Sequence, residues 1–284
     1  MARPLPLPVA VLALLLAGPL SAAGPAAAAG DPPPARVASA RIVSAGGSVT
    51  EVIYALGAGD RLLAVDSTSL YPAAVAALPN IGYLRSLAAE PIVAMTPDLL
   101  LVEADAGPPA VLDQIASAGV PVIRVVDEPS PQGVLEKVSA VAAALGLEAE
   151  GQALRARLSA GFAAAAARVA GLKRRPKVLF LLSIGNGGAP LAAGRDTSAA
   201  RMIELAGGVN ALDAFEGFKP LSPEAAVAAR PDVLLVTDRS VAALGGADAL
   251  LARPEIAPTP AGKAKRIVVM DGLLLLGFGP RTPE

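Results

Sequence analysis

The residues best suited to chemistry lie in one short polar stretch, residues 66–72 (DSTSLYP). This stretch follows the apolar run Arg61–Val65, which has the pattern of a short strand, so Tyr71 is predicted to lie in a loop. Pro72 biases Tyr71 to an extended conformation, in which its ring would project from that loop. An ionised phenol is a hard anionic donor that prefers ferric iron. The alternative is a loop tyrosine whose ring only packs on the core.

The composition narrows the class of protein. The 284 residues carry a formal net charge of −1 and include no histidine and no cysteine. The lack of cysteine excludes disulfides, thiol catalysis and a lipid anchor on an acylated cysteine. The usual hydrolase and dehydrogenase motifs are also missing, and zinc or manganese carriage is disfavoured without histidine. A near-neutral chain without basic runs argues against nucleic acid as a partner. We therefore do not expect an enzyme; one that works through carboxylates alone is the alternative that the inventory leaves open.

Residues 1–29 have the features of a secretory signal peptide. Arg3 precedes the apolar run at residues 9–17, and small residues that suit a cleavage site follow. The apolar run is too short to span a bilayer. The sequence therefore predicts an exported, soluble protein.

The rest of the chain divides into three predicted parts. Short apolar strands alternate with helical patterns in an N-terminal α/β lobe at residues 30–146. An alanine-rich, proline-free stretch at residues 147–171 predicts one long interlobe helix. A C-terminal α/β lobe follows at residues 172–284; it has no evident final helix, and Leu273–Leu276 look exposed in it. Within the first lobe, Ser48 and Glu51 have the spacing of a capping box, and residues 72–78 suggest a short helix.

An internal repeat supports two similar lobes. Residues 90–102 and 224–236 align without a gap at an offset of 134 residues (224 − 90). Each copy has a glutamate, a short helical pattern, a Pro-Asp pair and a strand. The predicted fold is therefore α/β, with two Rossmann-like lobes that contain mainly parallel sheets. One long helix joins them, and a ligand cleft lies between them at the carboxyl ends of the strands.

Four segments carry a resemblance to a known family: residues 42–72, 78–104, 192–212 and 215–237. Together they resemble a periplasmic haem-binding protein of a bacterial haem ABC importer. That group belongs to the substrate-binding proteins with a helical backbone, which also carry cobalamin and siderophores. The Ser-x-Tyr-Pro loop at Tyr71 and the Gly-Tyr-x-Arg element at residues 82–85 favour haem over the other ligands. The same fold carrying cobalamin or a ferric siderophore is the alternative.

The resemblance implies a role for Tyr71 as the ligand of the haem iron, with haem as carried ligand for iron uptake. Tyr83, Arg85 and Arg195 are the other candidate ligand-binding residues. Some relatives have a basic residue two positions after the tyrosine, where this chain has Ala73, and Arg85, next to Tyr83, is expected to replace it. For Arg195, a haem propionate and a salt bridge to its neighbour in sequence, Asp196, remain equal alternatives.

The resemblance also implies a membrane-embedded ABC permease, with its ATPase, as partner of a monomeric periplasmic protein. Glu90 and Glu224, one in each lobe, match the glutamates that such carriers present to arginine pockets on the permease. The alternative is that each carboxylate only complements the dipole of the helix that it begins. Helix dipoles explain either glutamate alone, but they explain the equivalent placement of the two less well.

Overall fold

The computed structural model describes Met1, residues 41–183 and residues 189–284. Apart from Met1, the predicted signal peptide at residues 1–29 lies outside the described residues, and so does the glycine-rich stretch of sequence at residues 184–188. No helix within the described ranges is both apolar enough and long enough to cross a membrane.

The first lobe is built on a parallel sheet of four strands in the order β2-β1-β3-β4. The strands are β1 (Ile42–Ala45), β2 (Leu62–Val65), β3 (Leu99–Glu103) and β4 (Val122–Val125). The helices that accompany them are α1 (Gly47–Ala55), α2 (Ala89–Ala94), α3 (Pro109–Ser117) and α4 (Pro131–Leu145). Both faces of the sheet are covered, as expected for parallel strands joined by helical crossovers.

Alternate residues of these strands enter two separate hydrophobic clusters. Ile42, Leu99 and Leu101 are buried on the side that also holds α1 and α4. Val43 and Leu100 are buried on the opposite side, with residues of α2 and α3. Because side chains alternate across a strand, continuous apolar runs such as that of β3 can fill both clusters.

A long helix, α5 (Glu148–Ala170), follows α4 and has nearly the predicted bounds. Its 23 residues correspond to a length of about 35 Å. Glycine weakens a helix, but both internal glycines lie where neighbours come close. A Cβ on Gly151 would lie 2.5 Å from the Cβ of Ala142 in α4, and one on Gly161 would lie 3.1 Å from that of Pro283. These glycines therefore allow the close packing of α5.

The second lobe contains a mixed sheet of six strands. Its main order is β10-β9-β5-β6-β8, and β7 pairs with β5. The strands are β5 (Lys177–Ser183), β6 (Leu191–Ala193), β7 (Val209–Asn210), β8 (Phe218–Pro220), β9 (Val233–Thr237) and β10 (Ile267–Met270). Among the strand pairs that the structure describes in this lobe, only those that involve β6 are antiparallel. The helices are α6 (Ser198–Leu205), α7 (Pro223–Ala229), α8 (Asp238–Ala243), α9 (Ala247–Leu251), α10 (Pro260–Lys263) and α11 (Gly272–Leu276).

The internal repeat corresponds to real structural units. In the first lobe α2 precedes β3, and in the second α7 precedes β9 at the same offset in sequence. Glu90 is the second residue of α2, and Glu224 is the second residue of α7. The two glutamates therefore have equivalent positions, as predicted.

Two local predictions were wrong, the capping box at the start of α1 and the exposure of the leucines near the C-terminus. The N-cap of α1 is Gly46, not Ser48, because Ser48 and Glu51 are engaged in side-chain contacts with distant parts of the chain. The short helix expected at residues 72–78 is present as a 3₁₀ helix at Ala73–Ala77.

The leucines that looked exposed near the C-terminus form α11, in which Leu275 is fully buried. Leu275 belongs to a cluster with Phe180 of β5 and Ile203 of α6. The sequence did not reveal this packing because these partners come from much earlier in the lobe.

Candidate functional site

Polar side chains gather at the carboxyl edge of the first sheet, where ligands bind in parallel α/β folds. Ser48 follows β1, Asp66 follows β2, Glu103 ends β3 and Asp127 follows β4. The sheet order places these four chain segments side by side.

Asp66 fixes the start of the loop that carries Tyr71. Its buried carboxylate accepts hydrogen bonds from Gly46 N at 2.9 Å, from Thr68 N at 3.0 Å and from the hydroxyls of Thr68 and Ser69, both at 2.7 Å. The loop is therefore tied to the turn between β1 and α1. Tyr71 itself is 46% exposed, in agreement with a ring that projects from the loop.

The guanidinium of Arg281, which follows α11, lies over the Tyr71 ring. The Arg281 guanidinium carbon lies 3.8 Å from the centroid of the Tyr71 ring. The Nε atom of Arg281 donates to both carboxylate oxygens of Glu51 at 3.2 and 3.1 Å, and a terminal nitrogen donates to Glu51 as well. Burial raises the pKa of Glu51, and the hydrogen bond from Arg281 opposes that effect. The hydrogen bond to Glu51 in turn raises the pKa of Arg281.

Arg85 does not have the place expected of it beside Tyr71. It donates to the hydroxyl of Tyr83 and forms an ion pair with Asp105. Its guanidinium also lies 5.5 Å from the centroid of the Tyr83 ring. Tyr83 and Arg85 therefore form an exposed pair of their own, and Arg281 lies where we had expected Arg85.

Lys137 of α4 is fully buried at the centre of a polar network. Its ammonium donates to Ser48 Oγ at 2.6 Å, to Asp127 Oδ1 at 2.8 Å and to the carbonyls of Gly277 and Phe278, both at 3.2 Å. A buried charge is tolerated only with such partners. The network joins α1 and α4 of the first lobe to the segment after α11.

Glu103 belongs to the same network through Ser48, whose hydroxyl donates to Glu103 Oε1 at 2.6 Å. Burial raises the pKa of Glu103 to about 7; the charge of Asp127 acts in the same direction and that of Lys137 opposes it. Carboxylate oxygens of Glu103, Asp105 and Asp127 all lie within 4.8 Å of one another. The ammonium of Lys137 already supplies a positive charge to this acidic cluster.

Arg195 lies in the second lobe, two residues before Thr197, the N-cap of α6. It donates to the carbonyl of Asp213 at 2.8 Å and to Glu216 Oε1 at 3.1 Å. The salt bridge that we considered with Asp196 is made with Glu216 instead. The Arg195 side chain remains half-exposed.

Glu90 and Glu224 are both exposed at the start of their helices. Hydrogen bonds from the backbone of Glu224 and from the Ser222 side chain lower the pKa of Glu224. A helix N-terminus favours a carboxylate in this way. The helix-dipole explanation thus holds for Glu224 and does not exclude a contact with a partner.

The sequence analysis missed Arg281, Glu51, Lys137 and Glu103 as members of this site. Glu51 and Arg281 are 230 residues apart, and Ser48 and Lys137 are 89 residues apart. Local spacing carries no signal for such pairs. One signal was available in the sequence. Glu51 and Lys137 are charged residues within apolar helical patterns, and a charged side chain that is buried needs a partner.

Two grooves lie apart from Tyr71. One of about 540 Å³ is lined by the start of α4 and by polar residues of α6 such as Arg201 and Glu204. A larger, mainly apolar groove of about 710 Å³ lies between α5, α6 and the strands β9 and β10. Tyr71 lines neither of them.

Solved structures of periplasmic heme-binding proteins resemble the whole described fold. RhuT from Roseiflexus sp. RS-1, in apo form, has a TM-score of 0.83 at 46% identity, covering 86% of this chain and 94% of that chain. BhuT in complex with two hemes has a TM-score of 0.82 at 41% identity, with the same coverage. HutB of Vibrio cholerae has a TM-score of 0.77 at 40% identity, covering 86% of this chain and 95% of that chain.

Curated relatives match over a shorter length. A vitamin B12-binding protein of Yersinia pestis (strain Pestoides F) is 38% identical over 85 residues, which is 30% of this chain and 30% of the relative. The family model described as "Periplasmic binding protein" matches residues 42–273, which contain both sheets and the long helix between them. The chain therefore belongs to the periplasmic binding protein family.

Proposed function

We propose that this chain captures haem in the periplasm and that the Tyr71 phenolate is the ligand of the ferric iron. The observation that carries this proposal is the half-exposed Tyr71 phenol with a guanidinium 3.8 Å from its ring centroid. Tyrosine is an established axial ligand of haem iron. The donor set fits haem, and relatives of known structure that cover most of the chain are heme-binding proteins.

An absorbance titration with ferric haem tests this proposal. The purified mature protein is expected to give saturable binding and a phenolate-to-iron charge-transfer band. Tyr71→Phe, which removes only the hydroxyl, is expected to lose that band. Tyr54→Phe is the matched control, because Tyr54 packs against the core of the first lobe. A band that persists unchanged in Tyr71→Phe would show that Tyr71 is not the ligand. The absence of saturable binding by the wild-type protein would show that haem is not the cargo.

Tyr83, Arg85 and Arg195 are proposed to contact the haem periphery. Both arginines are half-exposed and already hold acidic partners, Asp105 and Glu216. Haem propionates are carboxylates, and a guanidinium can bind a carboxylate through two parallel hydrogen bonds. Arg195→Gln is expected to weaken haem binding several-fold without removing the charge-transfer band. Unchanged affinity would assign Arg195 to a structural role with Glu216.

Delivery to a membrane-embedded ABC permease with its ATPase is the second part of the proposal. Glu90 and Glu224 are exposed, one in each lobe, at equivalent positions of the repeated unit. We expect the protein to act as a monomer, because a single chain contains both lobes and therefore already offers both carboxylates to the permease. Export would depend on residues 1–29, the predicted signal peptide.

A transfer assay with the permease and ATPase of the same organism in liposomes tests this part. The double variant Glu90→Lys/Glu224→Lys is expected to bind haem normally but to fail in transfer. Glu150→Lys, an exposed charge reversal on α5, is the control. Normal transfer by the double variant would show that the two glutamates do not contact the permease and only complement the dipoles of their helices.

One observation favours cobalamin as the alternative cargo: the chain matches vitamin B12-binding proteins over 85 residues. A ferric siderophore is the other alternative within the same fold. Competition with haem in the same titration discriminates between them. Saturable binding of cobalamin or a siderophore, without saturable haem binding, would replace haem as the proposed ligand.

A further inference from the structure

The loop that carries Tyr71 is closed at its base by backbone hydrogen bonds. Val65 N donates to the carbonyl of Pro79 at 3.0 Å, and the carbonyl of Val65 accepts from Ile81 N at 2.9 Å. Residues 66–80 therefore leave the end of β2 and return to it, as in a compact Ω-loop. Such a loop can be held in one conformation by a few contacts at its start.

Asp66 is the first residue of this loop, and its carboxylate is fully buried. Its Oδ1 atom accepts from Gly46 N and from the hydroxyl of Ser69, and its Oδ2 atom accepts from the backbone N and the hydroxyl of Thr68. Each oxygen therefore binds one backbone N–H and one hydroxyl. A buried carboxylate is tolerated only when such donors satisfy it.

A chain of buried hydroxyls extends this contact into α1 and β1. Ser69 Oγ lies 2.8 Å from Thr50 Oγ1, which lies 2.9 Å from Ser44 Oγ. Because Ser69 donates its single hydroxyl proton to Asp66, Thr50 must donate to Ser69, and Ser44 must donate to Thr50. The carboxylate thus sets the direction of the whole chain of hydrogen bonds.

Asparagine has the shape of Asp66 but cannot replace its hydrogen bonds. Its amide offers one acceptor oxygen and one NH₂ group, which only donates. In either orientation of the amide, the NH₂ group would face a backbone N–H, that of Gly46 or that of Thr68. A hydroxyl can rotate to accept instead, but a backbone N–H cannot. Only a carboxylate therefore satisfies both backbone donors at once.

We propose that Asp66 is a positioning residue that holds the loop in its binding conformation before the ligand arrives, so that Tyr71 is presented in place. The inference rests on the proposed function of Tyr71. Asp66 acts through the loop and needs no contact with haem. A loop that is ordered in advance binds more tightly, because its ordering does not oppose binding. Removal of groups that orient a metal ligand typically lowers metal affinity by about 10- to 100-fold.

The test is a double-mutant cycle on the haem affinity of wild type, Asp66→Asn, Tyr71→Phe and the variant with both changes. Asp66→Asn is expected to lower the affinity about tenfold, with the charge-transfer band unchanged at saturation because Tyr71 is still present. In the Tyr71→Phe background the same change is expected to alter affinity by less than about twofold. An equal loss in both backgrounds would overturn the inference, because a purely structural role does not depend on Tyr71.

Hydrogen exchange of the ligand-free protein gives a second measurement that needs no haem. The amides of residues 67–71 are expected to exchange about tenfold faster in Asp66→Asn, while those of β3 keep their wild-type rates. Asp232→Asn is the matched control, because Asp232 accepts from Lys177 N at 2.9 Å in the second lobe. Wild-type exchange rates at residues 67–71 in Asp66→Asn contradict the inference, even where Tyr71→Phe binds too little haem for the cycle.

Two further results separate this inference from the proposed ligand. Wild-type haem affinity in folded Asp66→Asn rules out the role of Asp66 alone, whereas wild-type affinity and band in Tyr71→Phe rule out the ligand and this inference together. Urea unfolding shows whether each variant folds. If Asp66→Asn does not fold, Thr68→Val/Ser69→Ala replaces it, since that variant keeps the carboxylate and removes its two hydroxyl donors. Wild-type haem affinity in this folded variant would then refute the role of Asp66.

Discussion

Replacing Glu103 with glutamine is expected to remove a pH-dependent penalty on the free energy of unfolding. The pKa of Glu103 is raised by burial from 4.5 to about 7 in the folded protein. Below pH 4.5 the carboxyl is protonated in both the folded and the unfolded chain, so it contributes no penalty. Between pH 4.5 and about 7 the unfolded chain releases this proton while the folded protein retains it. The wild-type protein therefore loses stability relative to Glu103→Gln across this window, by about 3 kcal/mol in all.

Urea unfolding of wild-type and Glu103→Gln proteins at pH values from about 4 to 8 measures this difference. The glutamine can still accept from Ser48, so any constant offset between the proteins reflects packing, and only the slope with pH tests the reasoning. Glu90→Gln, which removes an exposed carboxylate, is the control for the loss of one charge. A stability difference between wild type and Glu103→Gln that stays constant between pH 4.5 and 7 would refute the argument.

Three further predictions concern the same lobe. Lys137→Met is expected to destabilise the fold by about 3–5 kcal/mol, because it leaves buried acceptors without their donor; urea unfolding that differs from wild type by less than 1 kcal/mol would contradict this. Phe278→Ala is expected to cost about 3–5 kcal/mol through the cavity that it creates in the first lobe, measured in the same way, with Phe218→Ala at an exposed site as control. Ser130→Ala removes the side chain that accepts from Gly133 N at the start of α4, and thermal unfolding is expected to show a loss of about 1 kcal/mol.

The sequence predicted the fold class correctly where the signals were local and periodic. Two α/β lobes and the long helix between them are confirmed, with the bounds of α5 within one residue at each end. Neighbouring residues determine both the alternation of strands with helices and the alanine-rich helix. Both features are therefore present in the tertiary structure as predicted. The expected membership among binding proteins, not enzymes, is also confirmed by the family. The division into domains and the roles of the site residues stay predictions.

Predictions that depended on distant partners were less successful. The spacing of Ser48 and Glu51 fits a capping box, yet Glu51 binds Arg281 and Ser48 lies between Lys137 and Glu103. A capping box contributes about 1 kcal/mol, and buried charged hydrogen bonds can outweigh that. Arg85 was expected to replace the basic residue that some relatives have two positions after the tyrosine. The cation that lies over the Tyr71 ring comes from the other end of the chain, and one sequence alone gives no means to pair residues so far apart.

The docking of Phe278 also has a consequence for the order in which the protein folds during synthesis. The ribosome makes the strands and helices of the first lobe early, but the hydrophobic cluster of that lobe includes Phe278. Contacts such as that of Glu51 with Arg281 close a chain of 230 residues, and contacts of this kind form late. A nascent first lobe therefore has a gap in its core until Phe278 has been added. The lobe that is translated first is the one that is completed last.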